Sequence, residues 1–497
     1  MTVILGLLLA SATAPAAQPT IESARVVRHV ENPDGLQVGF WANYRMSGAV
    51  LADFGPRPFE RVNFHKWAQF ERQPGRYEFE NRFKWEQWAH LAGSSVITNV
   101  NTFFTLRLNP EGMQAIPGHL PQDITDPHTR AAAGRFLRAF TQQLLKEVGT
   151  AHLALDYEMI WFAKPTRPEI RQAYRDWFVE SAEICRAAAR EMGMSDRLTI
   201  GVIVNTDPFD TAGHSIGSPA RPKHVPQQWL LDCVGVADWV GIDTYAGGHA
   251  RRVTPDDQLR VIQFWIDHYV GGKPVWITEA GFTTSRAAGD ASDGYHIRGT
   301  EGEQAAYFEA LLGALRHAKR DRSNPLHAVR GIGIWKYADR ADEQSLVERH
   351  FGLVRSDGTR KPAHAVVFRP LREIDRDPRL APTRTTETRD VLAQLRGRQP
   401  VSIGRAGGTT FDELELRITP ASPSISLEID TADAVCVMVG AGDRWFSTHP
   451  ATSRRSKIEI SGLTPSAPAV LRVRVAAERL PMETRIVGVR VEKGENQ

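Results

Sequence analysis

The 497-residue chain is long enough for more than one domain, and its 42% hydrophobic and 24% charged content is that of an ordinary globular protein. A formal net charge of +3, with arginines spread along the chain, argues against a nucleic-acid or anionic-membrane partner. Three cysteines, Cys185, Cys233 and Cys436, are too few for a disulfide framework and lack metal-ligand spacing; they read as buried thiols, with a Cys185–Cys233 bridge left open.

The chain begins with a short apolar run from Val3 to Ala10, followed by small residues through Ala17. Ala14 and Ala16 fit an A-x-A cleavage pattern, so residues 1–16 are expected to be an export signal and the protein to be secreted or periplasmic. From Leu36 to Pro370 strand-like runs alternate with amphipathic helical stretches, the pattern of βαβ units. Eight strands are expected at 37–43, 62–67, 95–103, 153–158, 198–205, 239–245, 275–279 and 331–335, with clear helices at 168–192, 255–270 and 302–319. This suits a (β/α)8 TIM barrel over 30–375. A doubly wound sheet is the alternative, but the Gly-rich phosphate turn that would mark it is missing after the first strand. Residues 376–404 read as a charged, Pro-containing linker with a short helix near 390–396. From there to 497, closely spaced period-two strands suggest a small all-β sandwich. Its few aromatics (Phe411, Trp445 and Phe446) favour a structural module packed on the barrel over a carbohydrate-binding one.

In such a barrel the working side chains stand at the C-terminal ends of the strands, and the two-residue period says which face inward. Leu153 and Leu155 suit the layer beneath the helices, so Asp156 and Glu158 are expected to point into the barrel. On the seventh strand Val275, Ile277 and Glu279 share a face. Two strand-end glutamates are what a retaining glycosidase needs, one to protonate the leaving oxygen and one to attack the anomeric carbon. Asp156 beside Glu158 would raise the acid's pKa. The bland reading is that both glutamates are polar residues ending strands. On the eighth strand Gly331 and Gly333 leave room below Trp335 for an aromatic platform; the sixth offers Gly241, Asp243 and Tyr245. Trp41 and Asn43 share a face of the first strand, and Asn63, His65 and Trp67 one of the second. Aromatic and amide groups at a barrel mouth suit sugars, although packing explains each of them equally well.

Pro274-Val275-Trp276-Ile277-Thr278-Glu279-Ala280-Gly281-Phe282 resembles the nucleophile strand of clan A glycoside hydrolases. Gly302-Glu303-Gln304-Ala305-Ala306-Tyr307 resembles the helix that follows, and Gly333-Ile334-Trp335 the eighth strand. Phe351-Gly352-Leu353-Val354, Asp357-Gly358-Thr359 and Lys361-Pro362-Ala363 resemble the approach to the last helix. Upstream, the stretch from Trp67 to Phe79 and the run from Asp238 to Tyr245 resemble the clan's segments after strand two and in strand six. The resemblance covers residues 36–370 and is specific to the clan, not to one family within it. It implies a retaining hydrolase of β-linked glycosidic bonds in oligo- or polysaccharides. Glu279 would be the nucleophile, Glu158 the acid/base and Tyr245 the residue that steers the nucleophile, with Trp335 flooring the subsite of the cleaved sugar. The sequence departs from the pattern at Tyr157, where the clan has the Asn that contacts the sugar 2-hydroxyl. Tyr157, Asp156 and Asn205 are then the candidates for that contact.

Other readings are weaker. Gly213-His214-Ser215-Ile216-Gly217 matches a serine-esterase elbow, but loop-like flanks replace the strand and helix that motif needs. A metal-dependent hydrolase would favour clustered His ligands near the first strand, and none stand there. A glycan-binding barrel without activity would keep the fold and account for Tyr157. The glycosidase chemistry asks only for carboxyl groups and water, so no cofactor is implied.

Overall fold

The computed structural model describes residues 19–41, 47–57, 59–84, 86, 89, 95–103, 115–123, 125–156, 168–205, 228–245, 254–285, 299–343, 347–407, 410–447, 453–477 and 483–493. For Asn63, Asn205 and Cys436 only the backbone is described. The expected export signal, Asn43, Tyr157, Glu158 and the Ser215 motif lie outside the described residues.

All eight expected barrel strands are present. They are Gln37–Trp41, Phe59–Lys66, Ser95–Asn101, Ala151–Leu155, Leu198–Asn205, Trp239–Tyr245, Val275–Gly281 and Val329–Ile334. Each pairs in parallel with the next, and the eighth pairs with the first, closing the barrel. Local chemistry sets the helix ends. Pro127–Val148 starts where the Asp126 carboxylate accepts from the Thr129 N–H, with Pro127 in the first turn, and stops at Gly149 with φ 77°. Glu301–Ala318 opens with a reciprocal cap between Thr300 and Glu303. Ser47–Phe54, Pro168–Glu191, Gln228–Val236, Pro255–Trp265 and Pro362–Arg376 complete the outer ring among the described residues.

Side-chain parity divides the barrel into two layers. Leu153, Leu155, Val240, Ile242, Val275 and Ile277 face the helices. Ile97, Ala154, Ile203, Trp239 and Trp276 fill the interior. Two indoles fit there because glycines stand opposite them. A Cβ on Gly201 would lie 2.1 Å from the Trp239 ring, and one on Gly331 2.5 Å from the Trp276 ring. The space at Gly331, expected to serve Trp335, is therefore taken by Trp276. Cys185 and Cys233 are free, buried thiols, both pushed up to about 12 by burial.

The second domain departs from the sequence reading at both ends. Residues 376–404 are not a linker. They supply the strand Thr383–Asp390, the helix Leu392–Arg396 and most of the strand Val401–Gly407. Ahead of the barrel, Thr20–Glu31 lies between Thr383–Asp390 and Thr410–Thr419, with Arg25 opposite Asp390 and Val26 opposite Leu414. Thr383–Asp390 is an edge strand, polar and mostly exposed along its length. Charged, Thr-rich edges block further pairing, and the same composition made the segment read as a linker. The domain's core is formed by Val401, Leu414, Leu416, Leu427, Val437 and Ile460, among others.

The two domains meet at the barrel's N-terminal face, where the chain enters the first two strands. The Asn32 and Leu36 N–H groups donate to the Pro382 and Leu380 carbonyls at 2.8 and 2.9 Å. Arg57, 4% exposed, donates to both Asp375 oxygens. Trp445 packs on Gly55, where a Cβ would lie 2.7 Å from the indole nitrogen. The Arg472 and Arg474 guanidinium groups sit 4.9 and 5.1 Å from the Trp445 ring centroid, and Arg474 is 4.1 Å from that of Phe411. Trp445 thus packs across the junction.

A chain truncated after Arg376 would leave Thr20–Glu31 without either partner strand and uncover the Gly55–Arg57 surface. It is expected to aggregate, or to melt well below the full chain; light scattering and calorimetry read both outcomes.

Candidate active site

Strand seven carries the strongest candidate, and a bulge decides where that candidate points. Val275 and Ile277 face the helices, and Trp276 faces the interior. A regular strand would send Glu279 outward with Val275 and Ile277. The register slips instead. Ile277 pairs with Ile242 and Glu279 with the next residue, Asp243, so Thr278 is extra. On the other side Ile277 pairs with Ile332 and Ala280 with Ile334. Beyond the bulge Ala280 faces the helices, so Glu279 turns into the barrel with Asp243, its partner in register. The expected inward Glu279 is found, but Val275 and Ile277 do not share its face.

Both Glu279 and Asp243 are 0% exposed. The Thr278 hydroxyl donates to Asp243 Oδ1 at 2.5 Å. Two residues past Asp243, the Tyr245 ring lies over Gly281, where a Cβ would approach it to 2.9 Å. Tyr245 also meets Trp335 edge to face at 6.1 Å and Phe351 at 5.7 Å. Trp335 packs on Trp41 with ring centroids 4.5 Å apart. Tyr245, Trp335 and Trp41 thus form one aromatic wall at the C-terminal ends of strands six, eight and one. Trp335 is itself largely covered. Its indole N–H donates to Glu348, and the Lys336 ammonium, 5.2 Å from the ring, donates to Glu343 and Glu348 at 3.2 and 2.7 Å. Trp41 is the more open of the two indoles.

Three expected site residues stand elsewhere. Strand two also carries a bulge: Val62 pairs with Thr98 and Phe64 with Asn99, leaving Asn63 extra. After it His65 is in register with Val100 and faces the helices. There His65 Nε2 lies 2.5 Å from Glu86 Oε1, among Phe70, Phe83 and Phe140. Trp67 is fully buried, stacked on Phe136 and hydrogen-bonded to Glu71, whose other oxygen accepts from the Gly75 N–H. Both are packing residues of the outer layer. Asp156 does not point to the mouth either. Strand four ends at Leu155, and Asp156 takes φ 44°, which breaks the alternation. Its carboxylate accepts from the Thr102 N–H and hydroxyl, the Phe103 N–H and the Trp177 indole N–H, at 2.7, 2.8, 3.1 and 3.0 Å. Burial pushes this carboxyl above its ordinary value, against hydrogen bonds that favour the ionised form. Asp156 ties the end of strand three to the helix Pro168–Glu191, and the parity argument that reached Glu158 through it no longer holds. Asn205 pairs with Asp243 in the sheet, which puts its backbone beside the site.

Sequence reasoning missed Thr278 and left Asp243 without a role. The signal was present: two consecutive polar residues, Thr278 and Glu279, after the alternating Val275-Trp276-Ile277 mark a break in period. Asn99, fully buried on the interior face of strand three with no hydrogen bond to its amide among the described residues, was missed as well.

The chain thus forms a closed eight-stranded barrel with an inward carboxylate at the end of strand seven and an aromatic wall beside it. Comparison of the sequence with protein-family models and with curated proteins finds no match. Among solved structures, an exo-β-1,4-mannosidase from Opitutaceae bacterium strain TAV5 is 18% identical, covering 68% of this chain and 59% of its own, with a TM-score of 0.47. A β-galactosidase from the Antarctic haloarchaeon Halorubrum lacusprofundi is 15% identical, covering 68% and 58%, with a TM-score of 0.43. A family 10 endo-β-1,4-xylanase from Gloeophyllum trabeum is 12% identical, covering 68% and 96%, with a TM-score of 0.41. The chain thus spans under three fifths of the first two proteins, and at such identities the likeness is one of fold alone. Among the described residues no His, Cys, Asp and Glu cluster could hold a metal ion, and no helix is long and apolar enough to cross a membrane.

Replacing Asp156 by Ala takes the acceptor from the buried N–H groups of Thr102 and Phe103, while the Trp177 indole N–H keeps its bond to the Thr102 hydroxyl at 2.8 Å. A loss of about 3 kcal/mol in unfolding free energy is expected, read by denaturant melts. A change near zero would deny Asp156 this anchoring role.

Proposed function

We propose that this chain is a retaining glycosidase of β-linked sugars, with Glu279 as the nucleophile and Glu158 as the acid/base. The observation that carries the reading is the strand-seven bulge, because it turns a buried carboxylate toward the barrel interior at the strand's C-terminal end. A carboxylate in that position attacks the anomeric carbon as the leaving oxygen takes a proton from the acid on the other side; water then releases the sugar with the acid acting as base. The aromatic wall of Trp41, Trp335 and Tyr245 suits the C–H face of a sugar ring. Glu158 enters from its place just beyond strand four, three residues past Leu155. Two carboxyl groups about 5–5.5 Å apart would fit the double displacement.

The test is a panel of aryl β-glycosides and β-linked polysaccharides, followed by two variants on the best substrate. Glu279→Ala is expected to lose nearly all turnover while keeping its fold, and azide to restore part of it as a glycosyl azide. Glu158→Ala is expected to slow poor leaving groups far more than activated ones, since only the former need protonation. Wild-type turnover in a folded Glu279→Ala, or no hydrolysis across the panel, would refute the reading; the second result would favour a glycan-binding barrel.

A further inference from the structure

The bulge that aims Glu279 needs something to hold it. Bulges interrupt the ladder and leave a residue unpaired, so the extra residue must be stabilised by its side chain or by the space around it. Strand six supplies both. Gly241 faces the interior between Trp239 and Asp243, and a Cβ there would come within 3.0 Å of Thr278 Oγ1, 3.1 Å of Thr278 Cγ2 and 2.7 Å of Ile203. The Thr278 side chain therefore occupies the place a side chain at 241 would need. From that seat its hydroxyl reaches Asp243 Oδ1 at 2.5 Å. Asp243 is in turn the residue in register with Glu279. A hydrogen bond made in a fully buried setting is stronger than the same bond in water.

We propose that Thr278 and Asp243 are positioning residues for the nucleophile: the Thr278 hydroxyl, anchored on the Asp243 carboxylate and seated over Gly241, pins the bulge that turns Glu279 into the barrel. The idea rests on the reading of Glu279 given above, but its geometry can be tested apart from that reading. Neither side chain needs to touch the substrate. Their effect is on the aim of Glu279, and displacement of a reacting group by about 1 Å can cost roughly 100-fold in rate.

The experiment compares Thr278→Ser, Thr278→Val and Asp243→Asn in the full chain, by kinetics on the best aryl glycoside and by crystal structures. Thr278→Val keeps the shape of the side chain and removes the donor. It is expected to lower kcat roughly 100-fold with little change in KM, and to show the Glu279 carboxyl group displaced. Thr278→Ser keeps the hydroxyl and is expected to recover most of kcat. Asp243→Asn keeps an oxygen acceptor and is expected to fall between the two. If Thr278→Val is insoluble, Thr278→Ala makes the same comparison without added bulk. A Glu279 carboxyl group that stays in place in the variant lacking the hydroxyl overturns the proposal whatever the kinetics. So does a Thr278→Ser enzyme as slow as Thr278→Val. If the unmodified protein hydrolyses no glycoside, the glycosidase reading fails, and the crystal structures alone still decide whether the hydroxyl pins the bulge.

Discussion

A regular seventh strand would carry Glu279 to the same side as Val275 and Ile277, into the apolar layer between sheet and helices. A carboxylate seated there would be costly to bury, and the barrel mouth would lose its strand-seven carboxyl group. One extra residue, Thr278, reverses this outcome. It shifts the register against both neighbouring strands and returns Glu279 to the interior opposite Asp243. The pairings of Glu279 with Asp243 and of Gly281 with Tyr245 both follow from that shift.

The same device acts on strand two with the opposite result. An extra residue at Asn63 turns His65 away from the mouth and into a nest of phenylalanines beside Glu86. At the end of strand four a left-handed residue, Asp156, replaces the expected extended one and directs its carboxylate toward strand three and Trp177. The mouth is thus shaped by three local departures from the pleat, each made by a short polar residue: Asn63, Asp156 and Thr278. One further register shift lies at the other end of the barrel, where Arg330 is extra between Val329 and Gly331. Among the described residues small side chains face two interior indoles and aliphatic ones fill the layer beneath the helices.

The barrel was legible in the sequence because closed parallel strands, buried on both faces, read as apolar runs of fixed spacing between amphipathic helices. Tyr245, Trp335 and Trp41 were legible as strand-end aromatics. His65, Trp67 and Asp156 were misread for one reason: a two-residue period carries no information past a bulge or a left-handed residue. Glu279 was placed inward by the same rule, although its face was assigned together with two residues that point the other way. The second domain was misjudged at its edges for a different reason. Thr383–Asp390 is exposed along most of its length and carries no apolar alternation to betray a strand. Its partner Thr20–Glu31 lies more than 350 positions earlier in the chain, beyond the reach of any local pattern. Joining the first and last parts of the chain in one sheet at the barrel's N-terminal face leaves the opposite, C-terminal face to the site.

The central claim is that Glu279 attacks the sugar directly and forms a covalent intermediate. The stereochemistry of the first-formed product tests this most directly, by proton NMR in the first minutes of hydrolysis of an aryl β-glycoside. Two displacements at the anomeric carbon give the β-anomer first, with the α-anomer growing in only as the free sugar mutarotates. That is the result expected here. Appearance of the α-anomer first would mean that water, not Glu279, makes the attack.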